Sequence, residues 1–532
     1  MSTQKYKRQI RNIKTELSSF CPLSVLNEGI NYLGEFNNSE RPSDSMPWII
    51  MLSIKLAMIE GAIGKRDIKK EEFIEIINKI YRMQHLAADV RAGNPIFILR
   101  PMIMQQAWYQ RPSHLDWYTI FRQRLWYSES DYYEVEFHRL SGLSIDSYIT
   151  ISLFVFLFAT NDAKNGIAEL NILRLLYSLC PGVPFSHIKN YFLLTGVRTH
   201  DLPDFCKSNE LIDEPQSEYF QPTTFRKRPL LIDGDRIYIF NSMVCTGGLA
   251  TIIPTLLKEN LKGVYKSRFG DDLENYISKL FLDANLEVLN ERDILAIYKK
   301  HGLAGKVCDF MLGKELNIIF ESKAIEPGEI VLSTTDRDLL KRSLPASLIK
   351  SIKQGQETAY NLKKTERYKN GKFALVVITH EDFWFATGDD ITEFVDSELT
   401  AAIEDTYKEI PIPFRDVIFL TINTFESLLE AHKNDGADLE STISKCIEAI
   451  NTPTGRRFTI AHVAQDVLKQ NIKGHEFVSN EADKWISALP ALMKNNALFW
   501  GADAELLMTI HQRLMTSIDE EFERRKQSLV QP

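Results

Sequence analysis

Paired cysteine spacing is missing from this sequence. The six cysteines, Cys21, Cys180, Cys206, Cys245, Cys308 and Cys446, are scattered, with no C-x-x-C pair. That argues against a zinc framework or a disulfide scaffold and points to a reducing cytosol. No glycine-rich phosphate loop of the Walker type occurs, so no built-in ATPase motor is expected. Long apolar runs are also lacking. The greasiest segment, 147–160 (SYITISLFVFLFAT), has 14 residues without a charge. A bilayer span needs roughly 20 apolar residues, so this segment reads as a buried core helix and no membrane partner is expected. The basic N-terminus, MSTQKYKRQIRNIKTEL, lacks the apolar stretch of a signal peptide. A cytoplasmic location is the expectation.

What is present is an ordinary globular composition, 44% hydrophobic and 25% charged over 532 residues. A chain of this length forms about two to four domains. Residues 1–215 read as almost entirely helical, because apolar residues recur at three and four in MPWIIMLSIKLAMIEGAI, FIEIINKIYRM and LNILRLLYSL. This region is assigned to recognition or regulation. Residues 108–133 hold three Trp and five Tyr. Such rings can stack on bases, but a helical core built from large rings is the simpler reading. The polar, proline-broken stretch 208–229 reads as a linker. Within 216–262 it is followed by a hairpin, LLIDGDRIYIF around Asp233-Gly234, and a helix. Residues 263–425 mix helices and strands, and 426–532 return to helices. The expected class is therefore α+β and multidomain, with a central mixed-sheet core between two helical regions.

A net charge of −8 argues at first against a nucleic-acid partner, but whole-chain charge says little when charge is unevenly spread. Residues 336–372 contain ten Lys or Arg against four acids, an excess of +6. On its own such a strip is more often a solvated helix face.

Four pieces of the middle region carry chemistry. In RFGDDLENYISKLF, Gly270, Asp271 and Asp272 suit a helix start. Leu273, Tyr276, Ile277, Leu280 and Phe281 then share a face, with Glu274 on its shoulder. VCDFML and LNIIFESKA are apolar runs separated by Gly313-Lys314-Glu315, which suggests an antiparallel hairpin. A three-residue loop would set Asp309 opposite Glu321, and Lys323, two residues on, would share that face. In SLPASLIKSIKQGQETAYNLKK, Ser343 suits an N-cap with Pro345 in the first turn. Ile349, Ile352, Gln356 and Tyr360 form one helical stripe, so Gln356 faces inward and Gln354 points away. An inward glutamine must find polar partners. KFALVVITH follows as a buried strand.

The order of Glu274 on a helix, Asp309, then Glu321-Ser322-Lys323 on adjoining strands, then Gln356 and Tyr360 on a helix resembles the PD-(D/E)XK nucleases. This is the restriction-endonuclease-like superfamily, which includes a RecB-like exonuclease branch. The resemblance covers about 120 of the 532 residues. Cysteine stands where a proline often precedes the aspartate, and no histidine occupies the upstream helix as that branch usually has it. The resemblance implies that Asp309, Glu321 and the Ser322 carbonyl hold Mg²⁺ or Mn²⁺, with Glu274 completing the shell. Lys323 would orient or deprotonate the attacking water or stabilise the developing charge. Gln356 would bond a water or phosphate oxygen, with Tyr360 in support. Lys341, Arg342, Lys350, Lys353, Lys363 and Lys364 would track a nucleic-acid backbone, DNA in preference to RNA.

Three functions remain open on the sequence: a DNA nuclease, an RNA nuclease acting for example on tRNA, and a non-catalytic scaffold with a nuclease-like domain. Bacterial defence, mobile-element biology and repair all fit the architecture, and a homodimer or a protein partner bound through the helical regions is compatible with it.

Overall fold

At Lys262 the backbone leaves helical geometry (φ 47°, ψ −116°) inside the helical run Ser242–Asp283. The chain divides there into two units, Met1–Leu261 with Asn480–Pro532, and Lys262–Ser479. The computed structural model describes residues 2–37, 45–62, 64–88, 95–110, 114–161, 167–211, 215–313, 315–324, 328–470, 473–501 and 503–530.

The first unit is mainly helical and carries a four-stranded sheet in the order β1-β4-β3-β2. Its strands are β1 (Ala168–Asn171), β2 (Gly196–Arg198), β3 (Leu230–Asp233) and β4 (Arg236–Ile239). The expected hairpin is β3 and β4, with Asp233 opposite Arg236 and Gly234 at φ 56° supplying the left-handed turn. The uncharged segment lies in the Ile145–Asn161 helix, where Ile151, Phe154, Val155 and Ala159 are buried. No single described helix is long and apolar enough to cross a membrane. Trp117, Trp126, Tyr127 and Tyr133 are buried core rings, so the aromatic stretch is packing.

The stretch 208–229 is not a loose linker. Tyr219, Phe220 and Phe225 belong to the main core of this unit. Gln105 holds the Tyr219 carbonyl at 2.8 Å, and Lys55 pairs with Glu218. Burial of three rings outweighs what the prolines break. Helices beyond residue 480 close the same unit: Trp500 donates to the Cys180 carbonyl at 2.7 Å, and Asn496 to that of Ser178 at 2.9 Å.

The second unit is built on a five-stranded sheet in the order β5-β6-β7-β8-β9. These are β5 (Leu289–Asn290), β6 (Phe310–Gly313), β7 (Leu316–Lys323), β8 (Lys372–Thr379) and β9 (Val417–Thr421). The first three pair antiparallel and the last three parallel. The parallel strands are nearly continuous apolar runs, as expected for strands covered on both faces. One face is sealed by Phe281, whose ring lies 5.4, 5.2 and 5.3 Å from Phe310, Phe320 and Phe425. The Leu348–Lys363 helix crosses the other face, with Gly355 against Leu375.

Several expected boundaries move. The helix bearing Glu274 already runs before Gly270, because Tyr265 and Phe269 stack at 5.4 Å one turn apart and support the extra residues. Ser343 ends a separate helix, Arg337–Ser343, and the next begins at Leu348 after Ser347. Pro345 disfavours helical geometry at Leu344 and splits the two. A helix not foreseen, Glu291–His301, enters between β5 and β6, capped by Asn290. Residues 426–479 stay with the sheet. Phe425 and Leu428 are buried, and Glu440 accepts from the Glu315 and Leu316 amides at 2.9 and 2.8 Å. The expected boundary at 425 therefore lies near 479.

Candidate functional site

β6 and β7 pair with Phe310 opposite Phe320 and Gly313 opposite Asn317. Continuing that register sets Asp309, just before β6, opposite Glu321. Lys314 of the intervening turn lies outside the described residues. Glu321 and Lys323 alternate onto one face of β7.

Glu321 is 0% exposed. Its Oε2 accepts from Lys323 Nζ at 2.9 Å, while Oε1 is buried without a hydrogen-bond partner. Lys323 Nζ also donates to the Ser322 carbonyl at 3.0 Å. Asp309 Oδ2 accepts from the Ser322 amide at 2.6 Å and the Ser322 hydroxyl at 2.8 Å. Burial, with Asp309 adding to it, pushes the Glu321 carboxyl up to about 8, against the pull of Lys323 and Lys350. Glu274, half-buried on its helix, is pushed up to about 7 by burial first and then by Asp309. Asp309 thus acts electrostatically on both Glu274 and Glu321, and Glu321 carries the orphaned oxygen.

Two such groups holding raised pKa values beside a third acid form a demand for positive charge. The donors are hard carboxylate and carbonyl oxygens, the chemistry suited to Mg²⁺ or Mn²⁺ and not to zinc. As the side chains stand, no group of three or more His, Cys, Asp or Glu among the described residues is gathered tightly enough to hold an ion. Asp309 is turned to Ser322 and Glu321 to Lys323, so binding would require those two contacts to be exchanged. The donor set fits a divalent cation on its chemistry and on the orphaned Oε1.

The structure departs from the expected site at the Leu348–Lys363 helix. Gln356 does face inward, 0% exposed, but both its polar atoms are consumed. Its Nε2 donates to the Ile412 carbonyl at 2.7 Å, and the Ile412 amide donates back to Oε1 at 2.8 Å. Tyr360, one turn on, packs on Tyr407 at 4.8 Å. That stripe faces the 407–412 segment, on which Gln356 and Tyr360 form a clamp. Gln356→Leu is expected to cost about 1–3 kcal/mol by stranding the Ile412 backbone groups, with chemistry unchanged in the folded fraction. Denaturant titration beside an activity assay checks this.

The opposite stripe of the same helix reaches the site. Gln354 does not point away; its Nε2 donates to the Val307 carbonyl at 2.7 Å, two residues before Asp309. Its signal was available in sequence: Gln354, Thr358 and Asn361 recur at four and three.

The basic strip is thinner than its count implies. Lys341 pairs with Asp396 at 2.9 Å and Glu398 at 2.7 Å. Lys363 donates to the Pro411 carbonyl at 2.9 Å, and Lys364 lies over the Tyr360 ring and bonds Asn361. Lys341 and Lys363 are thus tied down by acidic and carbonyl partners from distant sequence, and Lys364 by neighbours on its own helix. Arg342, Lys350 and Lys353 are exposed, and Lys350 is near enough to act on Glu321. All six cysteines are free thiols. No family model, curated protein or solved structure matches this chain.

Proposed function

We propose that the second unit is a divalent-metal-dependent nuclease that hydrolyses phosphodiester bonds, with DNA the favoured substrate. One observation carries the reading: a fully buried Glu321 carboxylate with an unpartnered oxygen, at a strand end beside Asp309 and Lys323. A buried carboxyl oxygen without a partner is costly whether or not the group holds its proton, and a bound cation would give it one.

Asp309, Glu321 and the Ser322 carbonyl would hold the ion, with Glu274 nearby. When bound, the ion supplies Lewis-acid polarisation of the scissile phosphate. Lys323 directs its ammonium at the same spot, where it offsets charge developing on phosphate oxygens and orients the attacking water. Water attacks phosphorus and gives up a proton to solvent, the bond to the leaving sugar oxygen breaks, and that oxygen takes a proton from solvent. Arg342, Lys350 and Lys353 would hold the backbone of the substrate.

Labelled DNA and RNA, each incubated with the purified chain and Mg²⁺ with or without chelator, test this. Chelator-sensitive cleavage of DNA is the expected result. Cleavage of RNA alone would move the substrate to RNA, for which the site is equally suited because none of its groups reads the sugar. No cleavage of either would overturn the proposal and favour a binding scaffold.

A further inference from the structure

We infer that the Leu348–Lys363 helix positions Asp309 by gripping the backbone of residues 304–307 through Gln354, Glu357 and Asn361. The inference rests on the nuclease reading only for what Asp309 is used for. Residues 303–308 belong to no strand or helix, so their backbone polar groups need other partners. One face of the helix provides them. Asn361 Nδ2 donates to the Ala304 carbonyl at 3.1 Å. Thr358 Oγ1 donates at 3.0 Å to the Gln354 carbonyl of its own helix and only approaches the Lys306 carbonyl, at 3.5 Å, while the Lys306 amide donates to Glu357 Oε1 at 3.2 Å. Gln354 Nε2 donates to the Val307 carbonyl at 2.7 Å. Gln354, Glu357 and Asn361 fall at spacings of three and four, one stripe along the helix.

Gly305 shows how close the approach is. It sits at φ 135°, and a Cβ there would lie 2.4 Å from Glu357 Oε1 and 3.0 Å from Asn361 Nδ2. The backbone angle favours glycine, and a Cβ there would push the ends of the Glu357 and Asn361 side chains off the segment they hold. The ladder stops two residues before Asp309, whose Oδ2 then accepts from the Ser322 amide of β7. β6 begins only at Phe310, so the sheet alone does not fix the backbone on the Asp309 side. Gln354 and Gly305 are positioning residues, acting on the site through the segment they hold.

The readout is hydrogen exchange of the Ser322 amide in the full chain without metal, since that N–H ends on Asp309. Gln354→Met keeps the side-chain length and removes the donor; Gly305→Ala pushes the segment off the helix. Each is expected to speed Ser322 exchange about tenfold, the worth of one hydrogen bond, while Val376 of β8 exchanges as before. Tyr360→Ala, on the other face of the helix, is expected to leave Ser322 unchanged. Ser322 exchange within about twofold of wild type in Gln354→Met, or equal acceleration at Val376, would overturn the positioning role. Should Gly305→Ala not fold, Gln354→Met decides alone. Calorimetric titration of the wild-type chain with Mn²⁺ reads the other question: no binding there sinks the metal-site reading, on a different observable.

Discussion

Lys323→Ala is expected to lower single-turnover cleavage about 10³-fold, the usual loss when one preorganised charge at a phosphoryl centre is removed. Its Nζ lies 2.9 Å from Glu321 Oε2 and 3.0 Å from the Ser322 carbonyl, so the ammonium is held by the groups that would bind the ion. Truncation leaves Glu321 buried without its cationic neighbour. That carboxyl already favours its proton, so it neutralises instead of stranding a charge, and the fold survives. Lys323→Arg keeps the charge but not the compact point donor, and is expected to restore little activity. Asp309→Ala should be as damaging and should also free the Ser322 amide and hydroxyl. Cleavage at the wild-type rate by either alanine variant, with its melting curve intact, would remove the substituted residue from the chemistry and overturn the site as assigned.

The second large effect concerns pH and metal together. Glu321 and Glu274 sit near 8 and 7 against an ordinary 4.5. A carboxyl raised on folding favours the folded state while protonated. Its contribution is complete below the unfolded value and is lost as pH rises through the folded value. The chelated protein should therefore melt at a lower temperature at pH 9 than at pH 6. A divalent cation takes the place of the protons, so apparent Mn²⁺ affinity should rise by up to about tenfold per pH unit for each proton displaced, over this window. Glu321→Gln cannot ionise; it should be more stable than wild type at pH 9 without metal and show no Mn²⁺-induced shift. A shift in melting temperature that is the same at pH 6 and pH 9 would count against these carboxylates as the ligands.

The hairpin of β6 and β7 was readable because its residues speak locally. Two apolar runs around a short turn showed the hairpin, but a turn at 313–315 would set Asp309 opposite Ile319; Gly313 instead pairs with Asn317, and that register places Asp309 against Glu321. The alternation of a strand then places Lys323. The Leu348–Lys363 helix was readable only in part. Periodicity showed that Gln356 faces inward, yet both stripes of this helix face protein, and periodicity does not say what each one meets. Ile412 and Val307 are 56 and 47 residues from their glutamines. Pairing over that distance is set by packing, not by spacing. The cations follow the same logic. Lys341 and Lys363 look like their exposed neighbours until Asp396, Glu398 and Glu409 arrive from elsewhere in the chain.

By itself the sequence determined the buried helices, the two hairpins and the identity of the acids and the amine at the end of β7. These depend on turn chemistry and hydrophobic period, which act over a few residues. Only the tertiary structure decided that Gln354 meets Val307 and Gln356 meets Ile412, that Tyr219, Phe220 and Phe225 are core, and that 426–479 stays in the unit of the five-stranded sheet. Each of those is a choice between partners of equal local merit, and burial of long-range neighbours makes the choice.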